Sequence, residues 1–261
     1  MQEKAKMEDI NMKLMENAII NSQRLSFQEL NQIIRDNLET NRKCFKLKGV
    51  NGQRYIGSGL GSDVEIEIDG LPGNDLAAFG DGVKIHVNGN VQDCAGNTMN
   101  AGEIIVNGHA GDLPGYSQRG GSIYIKGNAG YRAGIHMKGF KDKQPLLVIG
   151  GKAGNFLGEY MAGGRIIVLG FGLDEAGADL IGDHLAPGMH GGQIFIRGQV
   201  SSEYLGPEIR IAELNQADTD FLDSAVEKFK EYFNYSRFEL DLNSFSKIIP
   251  NSNRPYGNMY V

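Results

Sequence analysis

Ile85-His-Val87-Asn-Gly89, Ile104-Ile-Val106-Asn-Gly108 and Ile123-Tyr-Ile125-Lys-Gly127 are three copies of one pattern, apolar–x–apolar–x–Gly, spaced 19 residues apart. The pattern starts earlier, at Ile66-Glu-Ile68-Asp-Gly70. It continues through Leu146-Leu-Val148-Ile-Gly150, Ile166-Ile-Val168-Leu-Gly170 and Ile194-Phe-Ile196-Arg-Gly198. The closing glycines are spaced 19, 19, 19, 23, 20 and 28 residues, and the positions two and four before each are always Ile, Val or Leu. A repeat of this length, with alternation inside each copy, is the signature of a stacked solenoid.

Further glycines divide the period. Gly89, Gly96, Gly102 and Gly108, then Gly115, Gly121 and Gly127, mark steps of 7, 6 and 6 residues. Three corners per period imply a coil of three short faces, whose strands send β-branched residues inward and their neighbours outward. Stacked coils pair edge to edge at ~4.8 Å, so seven would make a prism roughly 34 Å long. The interval of 19 favours a right-handed parallel β-helix over the left-handed hexapeptide form, whose period is strictly 18. The expected fold is therefore an all-β solenoid of about seven coils with helical N- and C-terminal extensions. The repeat occupies residues 46–205, between a helical extension (1–45) and a C-terminal helix and tail (206–261).

In the N-terminal extension, Ser26-Phe-Gln-Glu29 is a capping box opening a helix with Phe27, Leu30, Ile34 and Leu38 on one side. An earlier helix is expected from Glu8 to Asn21, with Ile10, Leu14, Ala18 and Ile19 on one face. In the C-terminal extension, residues 219–233 place Leu222, Val226, Phe229 and Phe233 on one face. The tail alternates weakly at Phe238, Leu240 and Leu242. Both extensions are expected to cover the open ends of the stack.

A constant offset of three residues before the closing glycine defines an outward row: Glu67, His86, Ile105, Tyr124, Leu147, Ile167 and Phe195. It begins polar and becomes apolar from the third coil. The row one before the glycine (Asp69, Asn88, Asn107, Lys126, Ile149, Leu169, Arg197) behaves alike. Such a strip needs a cover, and the helix bearing Phe229 is the best candidate within the chain. A partner, or a second copy in a homo-oligomer, is the alternative.

Composition removes several function classes. The chain has 37 glycines but only 7 prolines in 261 residues, which excludes collagen. With a net charge of −6 and no Lys/Arg cluster, nucleic acid is not an expected partner. No apolar run spans a bilayer and no signal peptide opens the chain, so a cytoplasmic protein without a membrane partner is expected. Cys44 and Cys94 are too few for a disulfide framework or an iron–sulfur site and read as buried thiols.

Nucleophile elbow, phosphate loop and His-Glu-x-x-His zinc motifs are all missing. Gly108-His-Ala-Gly111 and Gly127-Asn-Ala-Gly130 follow the repeat and precede no helix, so they read as corners and not as a dinucleotide loop. His86 and His109 read as solvated. Two loops leave the prism: a cationic stretch, His136 to Lys143, and Phe171 to His190, with Asp174, Glu175, Asp179 and Asp183 near His184 and His190. The second is the one metal-like cluster, and an acidic loop tip explains it. No catalytic, cofactor-binding or metal residue is assigned.

Gly158-Glu-Tyr-Met-Ala-Gly-Gly164-Arg-Ile-Ile-Val-Leu-Gly170 and Gly188-Met-His-Gly-Gly192 resemble the GXGXG domain at the C-terminus of the glutamate synthase large subunit. Asn51-Gly-Gln-Arg-Tyr-Ile-Gly57 and Gly120-Gly-Ser-Ile-Tyr-Ile-Lys-Gly127-Asn-Ala-Gly130 are similar to its stand-alone prokaryotic version. A β-helical component of formylmethanofuran dehydrogenase is related to the same domain. The resemblance implies a non-catalytic scaffold in ammonia assimilation and glutamate biosynthesis. It also implies that FMN and an iron–sulfur cluster sit on partner domains and none on this chain. The implied partners are glutaminase and FMN-binding glutamate synthase subunits. The long extensions depart from the family's usual pattern.

Overall fold

The repeat builds one continuous sheet. The computed structural model describes residues 17–140, 142–174, 176–235 and 240–253. Its parallel strands are β1 (Asn17–Asn21), β2 (Cys44–Asn51), β3 (Glu65–Leu71), β4 (Asp81–Asn88), β5 (Ala101–Val106), β6 (Ser122–Ile125), β7 (Leu146–Ile149), β8 (Ala162–Val168) and β9 (Gly191–Arg197), stacked in chain order. The seven copies of the pattern are β3 to β9, and six turns of chain join them. The fold is a parallel β-helix.

Two ladders fill the prism. Ile66, Ile85, Ile104, Ile123, Leu147, Ile166 and Ile194 are cross-strand partners in succession, as are Ile68, Val87, Val106, Ile125, Ile149, Val168 and Ile196. None of these fourteen is more than 2% exposed. Replacing Ile125 with Ala should therefore cost about 3–4 kcal/mol, because it removes buried bulk and leaves a cavity. Lys126→Ala, whose ammonium lies 5.4 Å from the Tyr235 ring, should cost about 1 kcal/mol or less. Denaturant melts of the two variants test the inward and outward assignment, which equal effects would refute.

The fifth copy corrects the expected register. Tyr124 pairs with Val148, which pairs with Ile167, so Leu147 points inward and Val148 outward. The outward row is thus Ile105, Tyr124, Val148, Ile167 and Phe195, and Gly150, not Ile149, stands in the second row. Leu146-Leu-Val-Ile-Gly-Gly151 satisfies the pattern in either register, and a slip of one residue exchanges the two faces. Counting from Gly151, the next interval returns to 19 and the extra residues fall in the preceding coil, which is the insertion.

Each coil turns through a corner with three alternate residues at positive φ, as at Cys94 (63°), Gly96 (73°) and Thr98 (54°). The middle position faces the core. A Cβ on Gly96 would lie 2.4 Å from Cδ1 of Ile123, so a side chain there meets the next rung directly. This accounts for a glycine in mid-corner.

A third inward column, Met99, Gln118, Met137, Met161 and Met189, is buried throughout. Gln118 Nε2 donates to the carbonyls of Gly120 and Gly121 (3.1 and 3.0 Å), but its Oε1 has no partner among the described residues. Leaving a buried acceptor unsatisfied costs about 1–3 kcal/mol. Gln118→Met, which continues the thioether column, should raise stability by about 1 kcal/mol. A lower melting temperature would mean that the two donated bonds outweigh the orphan oxygen.

The extensions differ from their expected form. Ala18 and Ile19 lie in a strand: Ala18 and Ile20 face inward against Phe45 and Leu47, while Ile19 is exposed. Residues 8–16 of the expected first helix lie outside the described residues. The helix opened by Ser26 is present as α1 (Phe27–Glu39), its capping box closed by Glu29, with Leu30 and Ile34 in the main core.

At the other end, β10 (Ile209–Ala212) and β11 (Phe245–Pro250) run antiparallel. β11 pairs with β9, and β10 pairs with β11, so the last rung of the stack is capped by chain running the opposite way. Leu240 and Leu242 pack at the edge of the outer core, whereas Phe238 lies outside the described residues. Between β10 and β11 comes α2 (Gln216–Phe233), opened by a capping box of Asn215 and Asp218.

As expected, this helix covers the apolar strip. Leu222, Ala225, Val226, Phe229 and Phe233 form a second core with Tyr124, Val148, Ile167, Leu169, Phe195 and Phe245 outside the prism.

Candidate functional site on the outward face

α2 covers the outward face only from β6 onward. Before that the same face is polar and open, a groove of about 390 Å³ whose lining includes Lys46, Glu65, Glu67, Lys84, His86, Glu103, Ile105 and Tyr232. Strand register sets its chemistry. One row runs Cys44, Glu65, Lys84, Glu103; the next runs Lys46, Glu67, His86, Ile105. Along each row no carboxylate faces another across adjacent rungs, and Lys46 and Lys84 stand directly opposite Glu67, Glu65 and Glu103.

The pairs are made. Lys46 Nζ lies 2.8 Å from Glu67 and 3.8 Å from Asp69. The Glu67 bond holds the Lys46 ammonium above its ordinary range. Asn88 donates to both carboxylates. His86 Nε2 is 2.8 Å from Asn107 Nδ2. At the boundary with α2, Glu103 accepts 2.5 Å bonds from Lys228 Nζ and Tyr232 Oη. Burial, reinforced by the Glu103 bond, pushes the Tyr232 phenol well above its usual range. Burial works against the Lys228 charge, but Glu103 outweighs it and holds the ammonium protonated. Glu103 is therefore the stitch that fixes the lower end of α2 to β5. Sequence reading missed it because its partners are about 125 residues away, and it missed Lys46 because the β2 copy, Phe45-Lys-Leu47-Lys-Gly49, opens with Phe, stands 21 residues before the next and ends in a bulge.

The other singled-out residues fall elsewhere. His109 is a rung of its own ladder and not merely solvated: Asn90 Oδ1 accepts from the His109 N–H, and His109 Nδ1 accepts from the Asn128 N–H. His136 stacks on Tyr160 at 5.3 Å and His184 on Phe156 at 4.8 Å. His190 Nδ1 lies 3.1 Å from the Gly188 carbonyl.

The Phe171–His190 segment is only partly a loop. Leu180 is buried, Ile181 bridges to Ala153, and His184, Ala186 and Gly188 form a regular positive-φ corner. Asp183 donates its N–H to Asn155, while Glu175 lies outside the described residues. Among the described residues no three His, Cys, Asp or Glu side chains group to hold a metal ion. Cys44 and Cys94 are half-buried and not fully buried as expected. Burial, with Asp75, Asp93 and Asp112 around it, pushes the Cys94 thiol up to about 11, so it is a poor nucleophile. No helix among the described residues is long and apolar enough to cross a membrane.

The GXGXG motif family matches residues 12–254. An uncharacterized protein of Methanocaldococcus jannaschii is 48% identical over 259 residues, covering 96% of this chain and 98% of the relative. The family match takes in the extensions as well as the repeat, so β1, α1, α2 and the antiparallel cap lie within it. On that coverage, and on the ladders that the glycine repeat builds, the chain belongs to the GXGXG motif family.

Proposed function

We propose that this chain is a non-catalytic scaffold subunit of a glutamate synthase-type complex, acting in ammonia assimilation and glutamate biosynthesis in the cytoplasm. The single observation behind this reading is the family match over residues 12–254. The resemblance of Gly158–Gly170 and Gly188–Gly192 to the glutamate synthase large subunit supplies the kind of complex. In this reading FMN and an iron–sulfur cluster reside on partner subunits, and a glutaminase subunit delivers ammonia. The alternating charges of the Lys46–Glu103 groove fit a polar, reversible contact with such a partner, because charge pattern selects the partner and its register.

Tagged chain purified from its native host tests the proposal. Flavin- and iron–sulfur-containing subunits with glutaminase activity should co-purify, while the chain alone should carry no flavin absorbance and release no ammonia from glutamine. Co-purification with a formylmethanofuran dehydrogenase instead would overturn it, as would a yellow, flavin-loaded isolated chain.

A further inference from the structure

The insertion identified by the corrected register builds a second concave site, on a different edge of the prism from the groove. Asn100, Arg119 and Lys138 occupy equivalent places in three successive coils. Their N–H groups each donate to the coil before, to Gly80, Met99 and Gln118 respectively. The inserted residues fold back over this column as a tight turn. Phe140 and Lys143 exchange both backbone hydrogen bonds at 3.0 Å.

The base of the turn is fixed by close backbone approach: a Cβ on Gly163 would lie 2.5 Å from the Gly139 nitrogen. Its far end is laid against the column, because a Cβ on Gly120 would meet the Cβ of Lys143 at 3.3 Å. The result is a cavity of about 770 Å³ lined by Asp81, Asn100, Arg119, Lys138, Phe140, Asp142 and Lys143.

Its charge is the informative part. Lys143 reaches across to Asp81 at 3.5 Å. Arg119 and Lys138 are in no ion pair with a carboxylate among the described residues, although the chain carries an excess of six acidic groups. A guanidinium, an ammonium and the Asn100 amide thus line one concavity, against a single carboxylate, Asp142, besides the Asp81 that Lys143 pairs. Among the described residues the two cations are donors without side-chain acceptors. Such a set matches the oxygens of a phosphoryl or carboxylate group, which an arginine engages through two parallel bonds.

We propose that this cavity binds a small oxyanion, with Arg119 and Lys138 as the principal ligands, Asn100 as a neutral donor and Lys143 released in part from Asp81 when the anion enters. The assignment is independent of the scaffold reading.

The full chain should be titrated with inorganic phosphate and, separately, with succinate, at constant ionic strength, following amide shifts of Arg119, Lys138 and Gly120 by NMR. Saturable shifts at these residues are expected for at least one probe. The stronger of the two identifies the class, phosphoryl or carboxylate. Arg119→Gln or Lys138→Gln should weaken binding about tenfold and the pair together should abolish it, while Arg119→Lys retains part of it. Lys48→Gln, on β2, should change nothing, and thermal melts should show all variants folded. The proposal fails if the shifts do not saturate with either probe, or if the folded double variant responds as the unmodified protein does.

Discussion

Cutting the chain after Gly206 is expected to turn a well-behaved protein into one that aggregates. The cut removes β10, α2 and β11 together and bares Tyr124, Val148, Ile167, Leu169 and Phe195, each at most 2% exposed in the intact chain. Burying a side chain of this kind contributes ~1.5–3 kcal/mol, so about 10 kcal/mol of burial is lost, as large as the stability of a whole domain. The cut also opens the free edge of β9, a template for pairing with another chain.

The two effects can be separated. Phe229→Ser lifts the helix from the strip and leaves the β9–β11 pairing in place; it should cost at least about 3 kcal/mol. Size-exclusion chromatography with light scattering reads both variants. A truncated chain that elutes as a monomer would show that the strip is not the hazard proposed.

The second large effect is expected at the buried ion pair between α2 and the cap. Lys247 Nζ lies 2.6 Å from Asp218 Oδ2, with side chains 8% and 6% exposed. Asp218→Ala leaves an ammonium buried without its partner and also opens the capping box of α2. A loss of about 3–5 kcal/mol is expected. Asp218→Ala combined with Lys247→Met should recover most of it, because the uncompensated charge is gone.

The pH dependence has a definite sign. Burial pushes the Asp218 carboxyl up, but the hydrogen bond from Lys247, the Asn215 N–H and the nearby charges of Lys247 and Arg165 outweigh it, so the folded pKa is depressed. Its contribution is therefore complete above the ordinary carboxylate value of about 4 and disappears as the pH falls through the depressed value. Melts down a series of acid pH values should show the parent protein losing more stability than the double variant. Parallel curves would remove Asp218 from the acid transition.

These two regions also show what the sequence made legible. The ladders were legible because β-branched residues recur at fixed offsets from a glycine, and the helix over the strip because Leu222, Val226, Phe229 and Phe233 share one face. Two rungs, the first and the one at β7, were not. Asn-Ala-Ile-Ile-Asn, residues 17–21, is too short to separate a period of 2 from one of 3.6, and its neighbour Ile19 points outward. Leu146 to Ile149 is apolar at every position, so only the neighbouring strands decide its register. The cap was hidden for another reason. Ser246 and Lys247 are buried polar residues whose partners, Val200, Gly198 and Asp218, lie far off in sequence. The groove was half visible: the polar start of the outward row, Glu67 and His86, shows in the repeat, but Lys46 sits in a copy that opens with Phe45 and is set off by an interval of 21, and it was not counted with the rest. The oxyanion cavity was foreshadowed only as a cationic stretch, because Arg119 joins Lys138 through coil stacking and not through proximity in the chain.

The stacking of rungs makes the molecule a ruler graduated in whole steps. A solenoid rung touches only its neighbours, so a second copy of residues 90–108, placed before α2 begins its cover, would add one graduation of ~4.8 Å without disturbing the rest. The same copy placed under α2 would not be tolerated, since that helix spans a set number of rungs and cannot stretch. Distance between the two ends of this chain is therefore heritable in discrete increments on one side of β6 and frozen on the other. Two bodies held at those ends could have their separation retuned by duplication alone.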